Sequence, residues 1–172
     1  YNINLMQTPI RKGDSRLFAH KDYHLSPQKY EELKQKLIQL NARRPKEAAE
    51  VKRLAEMGDF SENAGYQLAK GRLRDLNQRL LDLENLLKRA EIIIPDKNTD
   101  KVKIGHRVTV LNEGKEKKYV ILGASESDPA AGIISHNSPL GAGLLGKKIN
   151  EEIKIQINGR EKIYKIISIE VD

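Results

Sequence analysis

Asp59 and Glu62 stand three residues apart in the run Met57-Gly58-Asp59-Phe60-Ser61-Glu62, and that spacing has two chemical readings. At a helix start, an Asp at the N-cap and a Glu at N3 form a capping box that satisfies free backbone N–H groups and contributes about 1 kcal/mol. The same two carboxylates could instead hold a hard divalent cation. Magnesium commonly takes only one or two carboxylates and fills its octahedron with water and substrate phosphates, so this pair alone makes a weak site that needs ligands from elsewhere. Lys70 and Arg74 form a second group. Four residues apart, they are neighbours on a helix face, beside the apolar row of Ala69 and Leu73 rather than within it. At 1.5 Å per residue, Lys70 falls about 12 Å behind Glu62 along a helix. Two cations there could follow the phosphates of a nucleic acid, or could be the solvated flank of a coiled coil.

Other candidates carry less. His20, His24, His106 and His136 lack a ligand spacing such as i, i+4 on one helix, so solvated or locally hydrogen-bonded histidines are expected rather than a zinc site. Gly141, Gly143 and Gly146 lack the Gly-Lys-Ser/Thr ending of a phosphate loop and read better as tight packing of a short helix. The chain has no Cys, which removes disulfides, thiolate nucleophiles and Cys-based zinc sites and fits a reducing compartment.

The elements that must position these groups follow from periodicity. Ser26-Pro27 is a helix start, with Ser26 able to cap and Pro27 at the first helical position. Tyr30, Leu33, Leu37, Leu40, Val51 and Leu54 keep the three-four alternation of a coiled-coil seam. Arg44 and Glu47 occupy seam positions beside Pro45, which predicts a kink or a local loss of the seam. A second helix follows on Tyr66, Ala69, Leu73, Leu76, Leu80, Leu83, Leu87 and Ala90. The short turn between them, with Gly58 suited to end the first helix, forces the two helices antiparallel. Each has about 30 residues, so the arm is about 45 Å long and the acidic pair sits at its far end.

Residues 1–24 show no sustained periodicity and are expected to be a flexible extension, and residues 95–100 are polar with Pro and Asn and are expected to be a linker. Residues 25–94 are then the helical hairpin and residues 101–172 a small sheet domain. Strands are expected at 107–111, 118–122, 132–135, 152–157 and 163–171, with a short helix or loop at 139–147 and a type I′ turn at Asn158-Gly159. The fold class is α+β: an antiparallel coiled-coil hairpin followed by a small antiparallel-sheet domain. Composition agrees, because 38% hydrophobic and 5% aromatic residues against 32% charged leave little material for one thick core. The net charge of +7 favours approach to nucleic acid, whether DNA or RNA, or to a ribonucleoprotein. No apolar run reaches the roughly 20 residues of a membrane span, and the start carries no signal-peptide core, so a cytoplasmic location is expected. A chain that begins at Tyr1 rather than Met is expected to be trimmed.

Three stretches carry a resemblance. Met57-Gly58-Asp59-Phe60-Ser61-Glu62-Asn63-Ala64-Gly65-Tyr66 resembles the tip signature of the GreA/GreB elongation factors. Ile134-Ser135-His136-Asn137-Ser138-Pro139-Leu140-Gly141-Ala142-Gly143-Leu144-Leu145-Gly146-Lys147 resembles their C-terminal signature. Arg43-Arg44-Pro45 matches a pattern of their first helix, and the resemblance spans residues 25–172. It implies a C-terminal domain of FKBP-like fold and an arm that enters the secondary channel of RNA polymerase. There Asp59 and Glu62 would help hold a second magnesium ion shared with the polymerase, with none bound tightly by the chain alone. The polymerase, not this chain, would then cleave its backtracked RNA, and arrested complexes would be rescued. The resemblance further assigns docking at the channel rim to Asn137, Ser138 and Pro139. Lys70 and Arg74 would guide the nascent RNA 3′ end, and the active form would be a monomer. One departure is Gly65, where the family usually carries Glu or Asp, which leaves the tip one carboxylate short. Two other readings remain open: a channel-binding inhibitor of the same fold, and a coiled-coil adaptor or RNA-binding module.

Overall fold

The computed structural model describes residues 22–57, 64–157 and 159–171. Ser26, in extended conformation, accepts a hydrogen bond from the Lys29 amide on its side chain, and Pro27 opens the 30-residue helix α1 (Pro27–Glu56). Helix α2 (Ala64–Arg89) packs back against it. The expected seam is the buried one: Leu33, Ala69, Leu76 and Leu80 are buried, and Tyr30, Leu37, Leu40, Val51, Leu54, Tyr66, Leu73, Leu83 and Leu87 are half-buried.

The interruption also lies where expected, as a loss of the seam rather than of the helix. α1 runs through Pro45 without a break, although an interior Pro removes a backbone hydrogen bond and costs roughly 3 kcal/mol. Arg44 is exposed, and half-buried Glu47 reaches across to α2, its Oε2 lying 3.3 Å from Arg72 Nε. Around that pair the helices leave open grooves of about 450 Å³ and 290 Å³.

The two ends of the hairpin meet in a two-residue parallel ladder between β1 (His24–Leu25) and β2 (Glu91–Ile92). Leu25 is completely buried there, and Arg89 donates to the Tyr23 hydroxyl at 3.0 Å. Asp22, Tyr23 and His24 therefore belong to the fold, which corrects the expected reach of the N-terminal extension to residue 24. Periodicity could not show this, because two residues of strand are too short to display a pattern. Residues 1–21 lie outside the described residues.

The polar stretch at 95–100 is held against the following strand. The ring of fully buried His106 accepts from the Lys103 amide on Nδ1 (3.3 Å), so Nε2 carries the proton it donates to the Asp96 carbonyl at 2.8 Å. Lys103 also pairs with the Asp96 carboxylate and holds it below the ordinary Asp range.

β3 (His106–Asn112), β4 (Lys115–Leu122), β5 (Ile133–Ser135), β6 (Glu152–Ile157) and β7 (Arg160–Val171) form a five-stranded sheet in the order β5-β4-β3-β7-β6. All neighbours are antiparallel except β4 and β5, so the antiparallel sheet expected carries one parallel pair at its edge. Two short 3₁₀ turns, Ala124–Glu126 and Pro129–Ala131, give the β4–β5 connection the length to return parallel. The Ile157–Arg160 pairing closes the expected hairpin, with Gly159 at φ +76°.

Val108, Val110, Ile121, Ile153, Ile155, Tyr164, Ile166 and Ile169 pack on one face beneath helix α3 (Pro139–Leu144), whose Leu144 is fully buried. The pairing of β3 with β7 shifts register between Thr109 and Val110, so Ile167 is the extra residue of a bulge. Ile166 and Ile169 both turn inward as a result.

Gly123 follows β4 directly beneath the entry to the arm. A Cβ there would lie 1.9 Å from the His24 carbonyl oxygen, a backbone atom that can move only with β1. Gly123→Ala is expected to lower the urea midpoint by an amount corresponding to about 1–3 kcal/mol, with the change in m-value small. An unchanged midpoint would show that β1 can leave Gly123 at no cost.

Candidate functional site

The chain carries its candidate groups in three places: the end of the arm, its flank, and a loop of the sheet domain. Asp59 and Glu62 lie outside the described residues, between Met57 at the end of α1 and Ala64 at the start of α2. Their connection closes an antiparallel pair whose first helix, at 1.5 Å per residue, is about 45 Å long. Gly65 is exposed in the first turn of α2.

Lys70 and Arg74 do come together. Both are exposed and line one shallow groove of about 380 Å³ with Leu73, Asn77, Gln78 and Leu81. The Lys70 ammonium lies 5.9 Å from the centre of the Tyr66 ring, and Arg74 Nε lies 3.7 Å from the Asp75 carboxylate. At these exposed positions such contacts are weak and leave both cations available to an anion.

Asn137, Ser138 and Pro139 form the turn between β5 and α3. Ser138 is committed to the fold: its hydroxyl donates to the Ser135 carbonyl at 2.7 Å and accepts from the Gly141 amide at 3.1 Å as the N-cap of α3. A Cβ on Gly141 would meet the Ser135 carbonyl oxygen at 2.1 Å, so the tight packing expected of these glycines holds there. Asn137 and Pro139 are exposed beside the cap.

A further cluster escaped the sequence reading. Where the arm meets the sheet domain, the Ser26 amide donates to Glu126 Oε1 at 2.7 Å and the Ser26 hydroxyl donates to the other oxygen. Next to it, Asp22 accepts from the amides of His24 and Ala124, and the rings of His24 and His136 stand 4.9 Å apart around its carboxylate. Burial pushes the Asp22 carboxyl up, but the hydrogen bonds from Ala124 and His24 and the nearby His136 outweigh it and hold it below the ordinary range. His136 is 112 positions beyond His24 in sequence, so no local spacing could join them. The readable signal was Asp22-x-His24, which on an extended strand places both side chains on one face.

Two family models match the chain, "Transcription elongation factor, N-terminal" over residues 23–92 and "Transcription elongation factor, GreA/GreB, C-term" over residues 97–171. The chain belongs to the GreA/GreB family of transcription elongation factors. It is 37% identical over 153 residues to transcription elongation factor GreA of Geobacillus kaustophilus, covering 87% of this chain and 97% of that protein. It is 39% identical over 142 residues to the GreA of Bacillus subtilis, covering 81% and 90%. Among solved structures, GreA factor homolog 1 (Gfh1) of Thermus thermophilus aligns with a TM-score of 0.40 at 22% identity, over 86% of this chain and 97% of that one. The α+β architecture read from the sequence is the one this Gre-family chain adopts.

The cap separates structure from recognition within the Asn137–Pro139 turn. Ser138→Ala is expected to destabilise the domain by about 1–2 kcal/mol in thermal or urea unfolding, whereas Asn137→Ala leaves stability within about 0.5 kcal/mol. Equal losses for both would mean that Asn137 also holds the turn.

Proposed function

We propose that this chain acts on RNA polymerase by inserting its hairpin arm into the secondary channel, where Asp59 and Glu62 complete a cation site that neither protein holds alone. The observation that carries the reading is the acidic pair at the turn of a long antiparallel hairpin, within a tip block that resembles the family signature. An arm tip has no walls to exclude water and no nucleophile–base pair, so its carboxylates need the rest of a site from another molecule. Two carboxylates are the hard oxygen donors that magnesium prefers, and they leave most of its positions to water, phosphate and the partner's ligands. When bound, such an ion polarises a phosphoryl oxygen and lowers the pKa of its water. What this chain adds is charge and position at the ion's edge; the hydrolysis remains the polymerase's own. A cytoplasmic setting and a monomeric active form follow from this reading.

In the same reading Asn137 and Pro139 meet the channel rim, beside the capped and therefore rigid start of α3. Lys70 and Arg74 meet the phosphates of the extruded RNA 3′ end. Lacking an acidic residue at Gly65, the tip would hold its ion through the pair alone.

Asp59→Asn or Glu62→Gln should abolish stimulated cleavage of a backtracked elongation complex in magnesium, with polymerase affinity nearly unchanged, because an amide keeps the shape and loses the charge. Full cleavage by both variants would return the pair to a capping role. Tight binding by the unaltered chain without any short 3′ RNA fragments would identify a channel-blocking inhibitor. Absence of binding would leave an adaptor. Reversing the flank with Lys70→Glu and Arg74→Glu together should reduce cleavage at subsaturating factor and make its salt dependence shallower. Wild-type rates with an unchanged salt slope would mark these cations as solvated surface.

A further inference from the structure

Asp22, His24 and His136 are the group of three or more potential metal-ligating side chains that the described residues bring together. The carboxylate is almost completely buried, the His136 side chain is 12% exposed, and that of His24 is 35% exposed, so the cluster is enclosed on the protein side and open to solvent on one edge. The three ligand atoms lie within 4.8 Å of one another. His24 Nδ1 is 2.9 Å from Asp22 Oδ1, and His136 Nδ1 is 3.4 Å from Asp22 Oδ2.

Hydrogen bonding accounts for the first of these distances but poorly for the second. His136 Nδ1 is 3.3 Å from the Leu122 carbonyl and 3.4 Å from Asp22 Oδ2, both beyond the usual 2.7–3.2 Å range. Ligands at 2.0–2.1 Å from one tetrahedral zinc ion lie about 3.3–3.4 Å from each other. His136 Nδ1 has that spacing to Asp22 Oδ2, while His24 Nδ1 faces the other oxygen, Oδ1, at 2.9 Å, so an ion would draw the two rings onto the carboxylate from its two sides. A second feature of metal-binding histidine is present on His24, whose other nitrogen, Nε2, lies 3.3 Å from the Glu91 carboxylate. Without metal, Nδ1 is the nitrogen that faces Asp22 Oδ1, so an ion would take the place of the proton shared there and leave Nε2 turned toward Glu91. The Asp22 carboxylate is held in place by the amides of His24 and Ala124.

We propose that Asp22, His24 and His136 form a zinc site, with water in the fourth position, that clamps the base of the hairpin arm to the sheet domain. Two imidazoles and one carboxylate suit zinc and disfavour magnesium or calcium, which take oxygen ligands. The site is independent of the tip: it lies at the opposite end of the arm, and its effect is on how firmly the arm is held. Asp22 and His24 come from the segment that leads into α1, and His136 immediately precedes the Asn137–Pro139 turn, so the ion would couple the arm's base to that turn.

The test is a titration of the metal-free full chain with zinc, followed by competition with a chromophoric chelator, with cobalt as a spectroscopic substitute. The expected result is one ion per chain, the visible absorption of tetrahedral cobalt, and a melting temperature raised by zinc. Binding should weaken at least tenfold in His24→Gln and in His136→Gln, and remain unchanged in the Asp59→Asn, Glu62→Gln double variant. Equal affinity in the histidine variants, or octahedral cobalt spectra with several weak ions per chain, would overturn the proposal. Should either variant fail to fold, imidazole nitrogen NMR of the unaltered chain decides. Zinc must shift Nδ1 of both His24 and His136, and an unshifted pair overturns the site.

Discussion

The contact on which the rest of the molecule depends is the seating of one short segment, Asp22 to Ser26, on the sheet domain. Through it the long arm and the small domain become one object. Gly123 lets the His24 carbonyl approach more closely than any side chain would allow, Asp22 accepts the Ala124 amide, and Ser26 gives both its amide and its hydroxyl to Glu126. Ser26 also caps α1, so the residue that starts the arm is the residue that fastens it. A lever with its far end about 45 Å away turns a small rotation at the base into a displacement of several ångströms at the tip. The proposed function, which places two carboxylates within coordination distance of an ion in another molecule, therefore requires that this base be stiff.

Along the arm, stiffness is distributed unevenly. The seam is continuous from Ala69 to Leu87 on α2, but α1 gives up two of its positions at Arg44 and Glu47. Glu47–Arg72 bridges the gap as a partly exposed ion pair, which contributes little beside the apolar contact it replaces. The helix nevertheless carries Pro45 without breaking, because the packed turns on both sides hold its path. Open grooves lie beside the pair in the middle of the arm, where the apolar seam is interrupted.

Much of this was legible in the sequence because it is periodic. The three-four alternation identified both helices and their buried faces, the apolar runs located all five strands of the sheet, and Asn158-Gly159 fixed the last hairpin. What was not legible lacks a period. The pairing of His24–Leu25 with Glu91–Ile92 joins segments far apart in sequence by two residues each, and the parallel β5 depends on turns whose direction composition does not encode. The cluster of Asp22, His24 and His136 was invisible for the same reason: its members meet only when the chain closes on itself. At the candidate sites, sequence placed Lys70 beside Arg74 and Ser138 at a helix start. It did not show that Ser138 is used twice by the fold while its neighbours stay exposed.

That division between committed and exposed side chains bears on how such a factor can change its recognition without losing its shape. Ser26, Gly123, Ser138 and Gly141 are fixed by backbone atoms they touch or would strike, so replacing any of them disturbs the fold before it disturbs a surface. Asn137 and Pro139 are exposed next to the Ser138 anchor, and Lys70 and Arg74 are exposed on the flank of α2, with contacts that cost little to replace. Each exposed group is thus presented by a rigid neighbour one or two residues away or by a helix packed on its opposite face. Pre-organisation of this kind reduces the ordering cost of binding, so under the proposed function modest side chains on a narrow arm and one turn could serve where a broad interface would otherwise be needed.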